Sequence, residues 1–118
     1  MNREDFMIGD WVYNTHNKQN EQVVEVGSNC VMLAYNDLYA FDEIEPISLT
    51  PKILEKNGFV DEMSNYAYRT DNYNVCYYCA DERLSINKYG AILDVHCFYV
   101  HQLQHALRLC GIKIEIEL

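Results

Sequence analysis

The chain predicts an α+β protein, and three features carry that expectation. Short alternating segments separated by polar turns fill most of its length, one stretch near the C-terminus has helical period, and the last seven residues alternate strictly.

From residue 8 to residue 47 the pattern is strand, turn, strand. Residues 8–13 alternate around Trp11 and Tyr13, and residues 14–20 form a polar turn. Residues 22–26 are the second strand, with 27–29 as a tight connection. Residues 30–35 are the third, Asn36 and Asp37 the next turn, and 38–44 the fourth. Four short strands with hairpin-length turns must curl to bury an apolar face. The expected N-terminal subdomain, residues 1–47, is therefore an SH3-like small β-barrel or a curled antiparallel sheet. Pro46 and Pro51 then bracket a joint. Thr50 suits an N-cap and Pro51 the first helical position, where a missing N–H costs nothing, while Asn57 and Gly58 stop a two-turn helix.

The second half, residues 48–118, is expected to form an α+β subdomain sharing that core. Residues 66–69, 74–80, 84–86 and 91–95 are strand-like and build a second antiparallel sheet. Residues 98–110 form the clearest helix, closed by Gly111. At about 100° per residue, Val100, Leu103, Ala106, Leu107 and Cys110 share one face. His101, Gln104, His105 and Arg108 fall on the opposite, solvent-facing side. The alternating residues 112–118 predict a half-buried final strand.

A chain of 118 residues buries enough surface to fold without a disulfide or a metal. Its formal net charge is −9, which repels phosphate backbones and anionic membrane surfaces. No apolar run approaches the ~18 residues of a membrane span. Residues 2–5 are charged with no apolar run after them, so no secretion signal is expected. Five irregularly spaced cysteines do not resemble a secreted disulfide framework, and the expected location is cytoplasmic. Asp37, Asp42, Glu43 and Glu45 form an acidic cluster that suits a solvated strand or the docking of a basic partner.

Catalytic signatures are absent. No serine lies in a nucleophile elbow and the five glycines are scattered, so no phosphate-cradling loop is written. The strongest metal-like spacing is Cys76, Cys79, Cys97 and His101, close to that of a structural zinc site. A regular strand through residues 75–80 would point Cys76 and Cys79 to opposite faces, which favours core cysteines and no bound cofactor. His101 and His105 have the zincin spacing, but Gln102 occupies the position of the general base and cannot accept a proton. Tyr66, Tyr68, Tyr77, Tyr78 and Tyr99 could line a contact platform or fill a small sheet.

Three strings carry a resemblance: IGDWV at residues 8–12, IEPISLTPKILEKNGF at 44–59 and VHQLQHALRLCGI at 100–112. Together they resemble a family of small uncharacterised proteins from gut bacteria of the Bacteroides type, often encoded in prophage-like or mobile regions. The resemblance implies no reaction, ligand or catalytic residue. It implies a Glu in relatives at the position of Gln102, which makes their string zincin-like and this one not.

The expected function is a non-catalytic protein-interaction or accessory module, using its acidic edge or the sheet that carries Tyr66 and Tyr68. The alternative is a structural zinc protein built on Cys76, Cys79, Cys97 and His101. Without a basic stripe the chain offers no phosphate footprint, so duplex DNA should not bind at ~0.15 M salt. A gel shift with random duplex checks this, and micromolar binding would contradict it.

Overall fold

A computed structural model describes residues 1–118, which form an α+β chain with two five-stranded antiparallel sheets. The chain divides into two compact units, Met1–Ser48 with Tyr99–His101, and Leu49–Phe98 with Gln102–Leu118.

The first unit holds β1 (Trp11–Asn14), β2 (Gln19–Val26), β3 (Cys30–Leu33), β4 (Leu38–Ala40) and β5 (Ile44–Glu45). They pair in the order β4-β3-β2-β1-β5. The two end strands do not pair with each other, so the ladder is open and the expected barrel closure is not formed by backbone pairing. Expected strand 38–44 is broken by a 3-10 turn at Phe41–Glu43, where the Glu43 carboxylate accepts the Ala40 N–H at 3.1 Å. That turn splits one strand into the two edges. Val12, Val23, Val31, Leu33, Tyr39 and Ile44 bury one face together with Phe6, whose ring sits 5.2 Å from that of Phe41. A bulge between Val23 and Glu25 shifts the alternation, so Val26 rather than Glu25 continues the inner row.

The second unit begins with α1 (Pro51–Lys56). The Thr50 hydroxyl accepts the Ile53 N–H at 3.3 Å, as its N-cap position requires, and Gly58 ends the turn at φ +87°. The sheet follows as β6 (Val60–Asp61), β7 (Tyr66–Arg69), β8 (Tyr73–Tyr78), β9 (Arg83–Lys88) and β10 (Ala91–His96), ordered as in the chain. Its register puts Tyr66, Tyr68, Val75, Tyr77, Leu84 and Ile86 on one face. That face is the covered one. The Tyr66 hydroxyl reaches Glu55 of α1, and the Lys88 ammonium reaches the Cys110 carbonyl just beyond α2 (Val100–Leu109).

Two expectations fail in the C-terminal segment. His101 and Gln104 are only 6% and 7% exposed, so the helix is buried well beyond the apolar stripe. The buried His101 ring stacks on that of Tyr99, with 5.8 Å between the ring centres. The tail is not a strand. Ile112 and Ile116 are buried alternately as a strand would bury them, but no neighbouring strand pairs with the segment. Instead the Asn57 side-chain amide donates to the Glu117 carbonyl at 2.8 Å and accepts the Glu117 N–H at 2.7 Å. Alternation therefore reported burial, while a side chain supplies the pairing.

Leu103 and Leu107 are each 1% exposed, so either Leu→Ala change should cost ~2–5 kcal/mol in denaturant melts. His101→Ala should cost ~1–3 kcal/mol. A cost below ~0.5 kcal/mol would return that imidazole to the solvent side.

Candidate functional site

The β1–β2 hairpin contains a polar network that lies on the core face of the first unit. Val12 pairs with Glu21, which brings Asn14 and Glu21 together diagonally on the side that also carries Val23. Asn14 is fully buried and Glu21 is 3% exposed. The Asn14 side-chain oxygen Oδ1 accepts the backbone N–H groups of His16 and Asn17, at 2.9 and 3.3 Å, closing an Asx turn. Its amide nitrogen donates to Glu21 Oε2 at 2.7 Å. Asn17 donates to the same oxygen at 3.4 Å and to the Tyr39 hydroxyl at 2.8 Å. Glu21 Oε1 is buried with no hydrogen-bond partner. Beside this cluster the His16 ring lies 6.1 Å from that of Tyr39, and its Nδ1 is 4.0 Å from Glu43 Oε2.

The chemistry of this cluster is limited by access. A carboxylate and an imidazole of the hairpin with the phenol of Tyr39 on β4 are groups that can move protons. The open oxygen of Glu21 is sealed from solvent, however, so an external substrate cannot reach it in this conformation. A polar turn over residues 14–20 with a strand from residue 22 anticipates the burial of neither Asn14 nor Glu21. The available signal was position, since Asn14 follows Val12 by two and Glu21 precedes Val23 by two.

The acidic residues singled out by sequence sit around the same unit. Asp37, Asp42 and Glu45 are exposed, whereas Glu43 is half-buried and occupied with Ala40. Beyond that cluster the asymmetry is larger than expected. The first unit has nine acidic and two basic residues, net −7, and the second has nine acidic and seven basic, net −2. On the outer face of the first sheet Tyr13 lies opposite Glu45, and Met32 lies between Glu25 and the exposed Leu38.

Tyr66 and Tyr68 stand half-buried on the covered face of the second sheet. Tyr66 donates to Glu55 at 3.3 Å, while Tyr68 packs between Phe59 at 5.6 Å and Tyr73 at 6.3 Å. Tyr77, on the same face, donates to the Cys97 carbonyl at 3.0 Å, and burial pushes its phenol up to about 12. Tyr78 is on the other face under the Arg83 guanidinium, 4.8 Å from its ring centre. Tyr99 belongs to the first unit. With Tyr78 on the opposite face, the four candidate tyrosines of the second sheet do not share one platform. A groove of about 350 Å³ lies at the β6–β7 end, lined by Gly58, Val60, Ala67 and Tyr68 together with Glu62 and Arg69. Its guanidinium is already held by the Glu62 carboxylate at 2.7 and 2.9 Å, which lowers the carboxyl below its usual range.

The zinc candidates are not brought together. Cys76 lies on β8 opposite Ala67 and Ser85, Cys79 is exposed in the turn beyond it, and Cys97 and His101 are buried. No group of three or more His, Cys, Asp or Glu side chains is placed to hold a metal ion. Burial, then Asp61, pushes the Cys79 thiol up, away from nucleophilic use. Gln102 has a structural task, because its side-chain oxygen accepts the Phe98 N–H at 2.7 Å just before α2. A glutamate at that position could accept the same bond, so the zincin-like spacing is compatible with helix capping alone. No helix is long and apolar enough to cross a membrane. Compared with family models, curated proteins and solved structures, the chain matches none.

A buried carboxylate oxygen without a donor costs stability. Glu21→Gln should therefore leave the protein no less stable than the parent, within ~0.5 kcal/mol, because it removes the buried carboxylate. Asn14→Ala should cost ~2–4 kcal/mol by stripping Oε2 of its short bond and freeing two turn amides. Urea melts of both variants check this, and a Glu21→Gln loss equal to that of Asn14→Ala would contradict it.

Proposed function

We propose that the protein is a non-catalytic interaction module whose first unit docks a basic protein partner through the outer face of its sheet. The observation that carries this reading is the concentration of charge, −7 of the total −9, on that unit. Solvated acids alone would be neutral in meaning. Here Glu25 and Glu45 stand directly across from Met32 and Tyr13, so apolar contact area and negative charge share one strand face. Apolar side chains supply contact area there, and the acids supply orientation and association rate. A cytoplasmic setting fits five free cysteines. An accessory role in a prophage or mobile element fits the resemblance of the 8–12, 44–59 and 100–112 strings.

Pull-downs from the producing cells should recover a basic protein at ~0.15 M salt and lose it at ~0.5 M. The paired change Glu25→Lys and Glu45→Lys should cut recovery about tenfold. Asp71→Lys with Glu115→Lys, the same charge change on exposed positions of the second unit, should cut it far less. Equal losses from the two pairs would reduce the effect to net charge and contradict a docking face.

A further inference from the structure

Of the four sheet edges, three are too short to accept another strand: β4 has three residues, and β5 and β6 have two each. The fourth, β10, has six residues and pairs with β9 at every position without a bulge. It contains no proline and no lysine, the usual devices that blunt a free edge. Five of its six residues are exposed, including Ile92 at 68% and Val95 at 37%.

The direction of its free backbone groups follows from the hairpin. Tyr89 and Gly90, at φ +53° and +83°, form a two-residue turn that makes Lys88 and Ala91 the closing hydrogen-bonded pair. Ala91, Leu93 and Val95 therefore point their N–H and C=O groups to β9. The Cys97 N–H, bonded to the Glu82 carbonyl at 2.8 Å, keeps the same phase. Ile92, Asp94 and His96 direct theirs to the open side.

We propose that this edge is a self-association site, where β10 of a second copy adds antiparallel with Leu93 opposite Leu93 of the copy. Two neighbouring registers fail. Centring on Asp94 sets two carboxylates face to face. Centring on Val95 runs the incoming strand into Leu49, whose N–H already holds the Phe98 carbonyl at 3.0 Å. The Leu93 register exchanges backbone bonds between Ile92 and the copy's Asp94, twice over. It also lines Ala91, Leu93 and Val95 against their counterparts on the face that carries Leu84 and Ile86. Each Asp94 is met by its own Arg83 at 3.1 Å, which offsets repulsion across the new pair. The copies meet through the unit of net charge −2, the less acidic of the two. The edge is short, so association is concentration-dependent.

Sedimentation equilibrium of the full chain tests this. The average mass should rise from 13.9 kDa toward twice that value as concentration increases from ~10 μM to ~0.5 mM. Ile92→Pro removes an outward N–H and leaves the β9 ladder intact, so it should move the midpoint at least about tenfold upward. Val95→Lys, at a part-exposed position, should do the same, and it decides the matter if the proline variant fails to melt cooperatively. A monomer throughout the range overturns the proposal and leaves the edge to a strand of another protein. A dimer that survives both substitutions overturns it as well, by placing the contact elsewhere.

Discussion

The ladder between β8 and β9 joins six residue pairs, and its inner side carries Val75, Tyr77, Leu84 and Ile86, none more than 3% exposed. Burying each such side chain contributes about 1.5–3 kcal/mol, against a backbone ordering cost of similar size per residue. The ladder therefore holds only with its inner side covered. The rest of the second unit answers that requirement: α1 meets Tyr66, Lys88 reaches the end of α2, and Asn57 holds the tail by its backbone. What remains open in this unit is the long β10 edge, the proposed self-association site.

The first unit meets the same requirement less completely. Its inner row runs from Leu33 through Val23 and Val12 and ends in Asn14 and Glu21, where side chains still turn inward but are polar. The amide–carboxylate bond satisfies one oxygen of Glu21 and leaves the other open. Stability alone does not favour such an arrangement, since apolar residues of the same volume would fill the space as well. The network also links the hairpin turn to Tyr39 of β4, an edge strand of the sheet whose outer face is proposed to dock a partner. A rigid hairpin orients that face, which gives the polar cluster a positioning role compatible with its lack of solvent access.

Legibility from sequence follows the range of the signal. Thr50, Pro51 and Gly58 act through their own backbone, so the limits of α1 were readable from a few neighbouring residues. Strand placement was readable from alternation, as for residues 66–69. Burial of His101 was not readable, because the apolar stripe of a helix marks the side that must be buried and says nothing of what else is covered. The tail shows the complementary failure, since alternating Ile112 and Ile116 look the same whether the partner is a strand or the Asn57 amide. The break in the expected strand 38–44 rests on one local event, the turn at Phe41–Glu43, whose capping carboxylate reads in sequence only as surface charge. Charge partition was present in the composition of residues 1–48, yet it gained meaning only when register placed Glu25 and Glu45 across from Met32 and Tyr13.

Residue-resolved amide hydrogen exchange tests the organising role of the β8–β9 ladder most directly. Ser85 of β9 and Cys76 of β8 point their amides at each other across that ladder, so both should exchange only through global unfolding. Protection should fall outward to the two-residue edge β6, where Val60 and Asp61 exchange by local opening. Amides of Cys76 and Ser85 that exchange as fast as those of β6 would contradict the account, because the covered ladder could not then be what the second unit is built around.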